Sequence, residues 1–346
     1  MTDQVSTPSS PISPTDRILV AGAGGFIGGA LMVYLQSLGF QHIRAVDNKP
    51  IGQWHQRPSA VEYVRADLRE RDACYRTVEG VDHVFNFAAD MGGMGFIEYH
   101  KADCMLTVLI STHLLLAARD LGVRRFFYSS SACVYNAQRQ TTTDAPPLKE
   151  EDAYPALAED GYGWEKLFTE RMARHFLDEF GLQTRVARYH NVYGPYGTWD
   201  GGREKAPAAI CRKIAQAALG GTKVIEIWGD GEQTRSFMYI DDCTQGTLRI
   251  ANSEIEDPIN LGSDRLVTIN ELVDLVEAIA GIKLKRVYNL SAPKGVRGRN
   301  SDNTRIRRLL GWEPRISLED GLEKTYRWIY DELVAGHRDL SLTTAA

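Results

Sequence analysis

Tyr162 and Lys166 stand four residues apart in Tyr162-Gly163-Trp164-Glu165-Lys166, at the head of an amphipathic stretch running to about Phe180. On a helix, positions i and i+4 share one face, so the phenol and the ammonium lie side by side. A cation beside a phenol favours the phenolate and lowers its pKa. A tyrosine tuned in this way takes the proton of a substrate hydroxyl while the carbon bearing that hydroxyl gives up hydride. Ser131 closes an apolar run that begins at Arg125, where its hydroxyl can bond the same substrate oxygen. Such chemistry needs a dinucleotide to accept the hydride, and the elements before Ser131 are suited to hold one.

Arg17-Ile18-Leu19-Val20 reads as a short strand that runs into Ala21-Gly22-Ala23-Gly24-Gly25-Phe26-Ile27-Gly28 and then into a helical pattern. Gly22, Gly25 and Gly28 let the chain turn tightly and approach a pyrophosphate. The helix that starts around Phe26 and Ile27 offers it unpaired N–H groups and a positive dipole end. A second strand, His42-Ile43-Arg44-Ala45-Val46, ends at Asp47, placed to accept the ribose hydroxyls. A carboxylate there repels a 2′-phosphate, so the expected cofactor is NAD rather than NADP, with Arg44 and Lys49 as nearby cations that weaken the argument. A third strand over residues 61–66 leads to Asp67, and a fourth over 81–89 ends in small residues that include Ala88. Strands alternating with helices predict an α/β fold, a Rossmann-type doubly wound parallel sheet.

The 346 residues suffice for that domain and a smaller C-terminal α/β substrate-binding domain. The expected division is a disordered tail over 1–15, an NAD-binding domain over 16–190, a mainly substrate-binding domain over 191–335 with some segments returning to the first, and a flexible tail over 336–346. A net charge of −5 argues against nucleic acid or a membrane surface as the partner. No run reaches the ~20 apolar residues of a membrane span. The five cysteines are widely spaced, with no Cys/His cluster that suggests a metal. A reducing cytoplasm suits them.

The glycine loop, Ser131 and the Tyr162/Lys166 pair resemble the extended short-chain dehydrogenase/reductase family, which includes the sugar-nucleotide epimerases and dehydratases. So do the stretches 188–195, 235–242 and 310–314. Four longer motifs narrow the resemblance: residues 88–97, 130–135, 197–209 and 295–303. These are similar to the branch that inverts C3 and C5 of a GDP-hexose. The resemblance implies GDP-D-mannose as substrate, with GDP-L-galactose and GDP-L-gulose as products. It assigns C4 oxidation to Tyr162 with Lys166 and Ser131, and proton removal and return at C3 and C5 to Cys133 and Lys205. It places Gly92, Asn191, Lys213, Gln233, Arg235 and Arg299 around the sugar and the diphosphate, the two arginines forming a clamp. Cys133 also suits this role by its chemistry, because a thiol pKa of ~8.5 lies close enough to neutrality for acid/base work. Relatives commonly form homodimers.

Three readings compete with this one. A 4-epimerase or 4,6-dehydratase of another nucleotide sugar is possible, although Ala132 and Cys133 stand where dehydratases carry acidic residues. An epimerase of a related GDP-hexose or GDP-heptose is another, since Asn136 and the segment 218–227 depart from the pattern. A dinucleotide-sensing scaffold is the third, against which the retained Tyr162 and Lys166 argue.

Overall fold

The computed structural model describes residues 11–343. Strands β1 (Arg17–Ala21), β2 (His42–Asp47), β3 (Glu62–Arg65), β4 (His83–Asn86), β5 (Arg125–Ser131) and β6 (Gln183–Tyr189) come in the first half of the chain. They alternate with helices α1 (Phe26–Ser37), α2 (Arg71–Val78), α3 (Met94–Tyr99), α4 (Lys101–Asp120) and α5 (Asp160–Phe180). The second half holds the short strands β7 (Val192–Tyr193), β8 (Val224–Trp228), β9 (Thr234–Ser236), β10 (Met238–Tyr239), β11 (Ile259–Leu261), β12 (Leu266–Thr268), β13 (Lys285–Asn289) and β14 (Gly298–Arg299). Among them lie α6 (Ala206–Ala218), α7 (Ile240–Ala251), α8 (Ile269–Ala280), α9 (Thr304–Leu310) and α10 (Leu318–Thr343).

The main sheet has the order β11-β6-β5-β4-β1-β2-β3, and every pairing in it is parallel. Both faces are covered, so β1 carries apolar residues on each side. Ile18 and Val20 join a core cluster with Leu31, Phe85 and Leu261, while Leu19 and Ala21 join another with Val46, Leu115 and Phe126. The strand order reverses between β1 and β4, and ligands bind at such a switch point, beyond the carboxyl ends of the strands. The smaller layer, with strand order β12-β9-β14 and a separate β13-β8 pair, stands over those ends. Its Ile214, Ile227, Leu272 and Ile329 belong to the same cluster as Val20, so the core runs through the boundary expected near residue 190.

Three expectations differ from the fold. Residues 1–10 of the expected N-terminal tail lie outside the described residues, but Ile12 is buried and its N–H donates to Asn252 Oδ1 at 2.8 Å. The tail expected over 336–346 is instead helical to Thr343. Helix α4 is, by length and composition, apolar enough to cross a membrane, contrary to the reading of the bare chain. One of its faces, through Thr107, Ser111, Leu114 and Ala118, is buried in the fold.

Behind the end of β5 lies a buried ionic cluster. Arg188 on β6 reaches Glu170 on α5 through Nε at 2.9 Å and Nη2 at 2.7 Å, and Ser130 bonds the same carboxylate. Glu170→Ala is expected to cost about 3–5 kcal/mol, because it leaves a guanidinium buried without its counter-charge. A lower urea midpoint in equilibrium unfolding measures that loss.

Candidate active site

The β1–α1 turn opens the site. Gly22 has φ +80°, and a Cβ there would lie 2.7 Å from the backbone of Phe87 and Ala88. Only a glycine allows the loop to meet the end of β4 so closely. No side chain caps α1, so the N–H groups of its first turn, at Phe26, Ile27 and Gly28, are left for an anion. At the end of β2, Asp47 accepts the Gly24 N–H at 3.0 Å through one oxygen and the Lys49 N–H at 2.9 Å through the other. Each oxygen keeps a lone pair for a ribose hydroxyl. The two cations that had favoured a 2′-phosphate are otherwise engaged. Arg44 binds Glu62 at 2.8 Å and the carbonyls of Thr77 and Glu79, and Lys49 Nζ donates to Gly24 O at 2.9 Å. Asp67 is held by the Arg69 fork. A cradle of small residues, a bare helix end and a carboxylate beyond β2 fit NAD. Gly22→Ala is expected to weaken NAD binding by at least tenfold in a calorimetric titration, since the Cβ both clashes and strains the turn.

A cavity of about 1070 Å³ extends from this turn. Gly22, Gly25, Phe26, Ile27, Gly28, Asp47, Asp67 and Ala88 line its dinucleotide end. Gly92, Ser131, Cys133, Tyr162, Lys166, Asn191, Lys205, Lys213, Gln233, Arg235 and Arg299 line the remainder. All the residues singled out by chemistry or resemblance therefore surround one space, although they come from segments more than 200 residues apart. Among the described residues, no group of acidic, His or Cys side chains could hold a metal.

Helix α5 presents Tyr162 to the cavity that Ser131 also lines, and the Ser131 hydroxyl acts to lower the phenol's proton affinity. Lys166 is buried, with Nζ 5.5 Å from the centre of the Tyr162 ring and 3.6 Å from Glu165 Oε2. The expected lowering of the tyrosine pKa is not found in the protein alone. Burial pushes the phenol well above its ordinary value, with Cys133 and Glu165 adding to the rise and Ser131 opposing it. Met91, Phe96 and Cys104 pack in one apolar cluster with Tyr162 and Cys133. Gly163 brings the helix against the Cys133 carbonyl, where a Cβ would collide.

Cys133 lies in a single 3-10 turn, Ala132–Val134, whose start is capped when Ser131 Oγ accepts the Cys133 N–H at 3.2 Å. Of the five cysteines it alone lines the cavity. Burial raises the thiols away from the cavity, Cys104 to about 11 and Cys74 and Cys243 to about 12. Lys205 precedes α6 as its N-cap, one residue before the helix rather than inside it. Burial pushes its ammonium down, with Cys133 acting in the opposite direction, and both residues line the same cavity.

The residues that the resemblance places around the substrate are more engaged than expected. Lys213 Nζ donates to Glu226 O at 2.7 Å, Gln233 Nε2 to Trp228 O at 2.7 Å, and Asn191, at φ +40°, to Ser236 O at 3.0 Å. Gly92 packs against Phe96 and Arg203, and Arg203 ties this loop to Asp90 at 2.8 Å. Arg235 and Arg299 are cross-strand partners on β9 and β14. Neither is an open fork. Arg235 donates to the carbonyls of Thr234 and Val296, and burial lowers it to about 10. Arg299 pairs with Glu159 and Gln140 beside Cys133. Glu159 and Gln140 carry no local motif, and only the approach of β14 reveals them.

A Rossmann sheet, a dinucleotide cradle and a Ser/Tyr/Lys set define an NAD-linked enzyme of nucleotide sugars. The chain belongs to the NAD dependent epimerase/dehydratase family, whose family model matches residues 18–262, and NAD is its cofactor. It is 48% identical over 318 residues to GDP-mannose 3,5-epimerase 1 of Oryza sativa subsp. japonica, covering 92% of this chain and 82% of that one. It is 46% identical to GDP-mannose 3,5-epimerase of Arabidopsis thaliana, covering 92% and 83%. Among solved structures, the UDP-glucose 4-epimerase of Thermotoga maritima with UDP-glucose superposes with a TM-score of 0.83 at 28% identity, covering 92% of this chain and 99% of that one.

Proposed function

We propose that the protein is a GDP-mannose 3,5-epimerase. The observation that carries this reading is the presence of two sets of groups in one cavity: Ser131, Tyr162 and Lys166, and with them Cys133 and Lys205. A 4-epimerase needs only the first set. The kinship with the rice and Arabidopsis enzymes supports the same substrate.

Tyr162, hydrogen-bonded by Ser131, accepts the proton of the sugar C4 hydroxyl. Lys166, whose Nζ lies over the ring, stabilises the phenolate that takes this proton, and the transfer leaves Tyr162 as the neutral phenol. NAD would be held by the Gly22 turn, the start of α1 and Asp47, and would supply the hydride chemistry at C4 and a positive charge that favours the phenolate. A ketone at C4 acidifies the hydrogens on C3 and C5. Inversion then needs one group to remove a proton from one side of the ring and another to return one from the opposite side. Cys133 and Lys205 serve as this pair, since both line the cavity and burial lowers the proton affinity of the Lys205 amine. Inversion at C5 alone yields GDP-L-gulose, and inversion at C3 and C5 yields GDP-L-galactose.

Incubation with GDP-mannose in deuterium oxide tests the reading. Deuterium at C5, or at C5 and C3, in a product of inverted configuration is the expected result. Inversion at C4 without label would make the protein a 4-epimerase instead.

We also place the protein in the cytoplasm, away from membranes, as a homodimer. Support comes from free thiols at all five cysteines and from apolar side chains exposed on the packed pair α4 and α5, namely Met105, Leu106, Leu109, Trp164 and Phe168. The mass in solution, measured by light scattering, is expected to be twice that of the chain.

A further inference from the structure

One wall of the cavity carries an ion pair to which the hydride and proton steps give no task. Glu159, the residue before α5, pairs with Arg299 on β14. The same guanidinium donates through Nε to Gln140 Oε1 at 2.6 Å, and its Nη1 lies 3.6 Å from Cys133 Sγ. Gln140 is buried, and its amide nitrogen donates to the carbonyls of Tyr135 and Asn136, which turns Oε1 toward the arginine. Glu159 is also tied to the thiol's own residue, since its N–H donates to Cys133 O at 2.9 Å. Two acceptors thus hold a cation at the thiol, and one of them is anchored to Cys133.

A buried guanidinium beside a thiol drives it toward thiolate. Lys205 at the start of α6 and Arg235 on β9 also act electrostatically on Cys133, and both add positive charge. Tyr162 on α5 faces it as a phenol that burial keeps protonated. A thiolate fixed in that form could accept a proton but never return one, whereas inversion needs groups that do both. Glu159 is the carboxylate that touches this set of cations, through Arg299. We propose that Glu159 is a positioning residue that holds Arg299 against Cys133 and offsets its charge, so that Cys133 passes between thiol and thiolate near neutral pH. The use of that property rests on the acid/base role proposed for Cys133.

The test reads the pH dependence of Cys133 alkylation by iodoacetamide in the NAD-loaded protein without sugar, with peptide mass spectrometry separating the five cysteines. The midpoint of the profile reports the thiol's proton affinity, independently of its access. Glu159→Gln preserves shape and an acceptor for Arg299 while removing the negative charge. It is expected to move the midpoint down by about one pH unit, a tenfold change in the thiol–thiolate ratio. The pH profile of deuterium incorporation into the sugar is expected to move the same way. Arg299→Gln, which leaves Glu159 near the thiol without the cation, is expected to move the midpoint up, and it decides the matter alone if the first variant does not fold. A midpoint that stays or rises in Glu159→Gln, or stays or falls in Arg299→Gln, overturns the proposal. Failure of the acid/base reading would show separately, as normal epimerisation by Cys133→Ala with both alkylation shifts intact.

Discussion

Cys133→Ala is expected to abolish deuterium incorporation at C3 and C5 while leaving reduction of the bound NAD by GDP-mannose measurable. Loss of a positioned acid/base group costs about 10²–10⁴-fold. Here it removes a step with no alternative route, so the loss falls at the upper end. The substitution is conservative for the fold. The bond between Cys133 and Ser131 Oγ runs through the backbone N–H, and the contact with Gly163 runs through the Cys133 carbonyl, so both survive. Tyr162, Ser131 and Lys166 keep their places, and hydride transfer from C4 continues. The near-ultraviolet absorbance of reduced nicotinamide follows that half of the reaction, and NMR of the sugar follows the other. Normal labelling by the variant would remove Cys133 from the mechanism. Parallel loss of both signals would mean that it serves the C4 step instead.

The parts of the site legible in the sequence are those built from neighbours along the chain. The β1 strand, the Gly22 turn and Asp47 follow one another within a βαβ unit, and their order alone announces a dinucleotide. Tyr162 and Lys166 share a helix face by spacing. The acidity of the phenol was not legible in that way. Spacing reveals the cation four residues on, but the burial that raises the phenol involves neighbours such as Phe96 and Cys104, which reach Tyr162 only by tertiary packing. The same limit applies to Arg299. Its neighbours in sequence do not indicate that β14 lies beside β9, nor that Glu159 and Gln140 wait there to take its fork. Strand β11 completes the main sheet from more than 60 residues beyond β6, and its three residues are too short a pattern to read. Helix α4 misled in another sense. Lys101, Asp103, Arg119 and Asp120 cluster at its ends and leave an apolar middle, part of which is buried on α2 and α5.

Tyr162→Phe is expected to eliminate both signals together, cofactor reduction and deuterium incorporation, each by about 10²–10⁴-fold. The coupling follows from the order of events, because C3 and C5 are not acidic until C4 is a ketone. Removing the phenol oxygen deletes the group that takes the C4 proton, while the ring, buried against Phe96 and Cys104, keeps its packing. A bypass makes the argument sharper than the loss itself. A GDP-linked 4-keto-hexose enters the cavity already oxidised, and Tyr162→Phe is expected to exchange its C3 and C5 hydrogens with deuterium oxide at close to the rate of the unaltered protein. Cys133→Ala is expected to fail with the same compound. If Tyr162→Phe also fails on the ketone, the phenol takes part in proton transfer at carbon and the division of labour proposed for the two sets of residues is wrong. If both variants exchange it freely, Lys205 suffices alone and Cys133 serves another purpose.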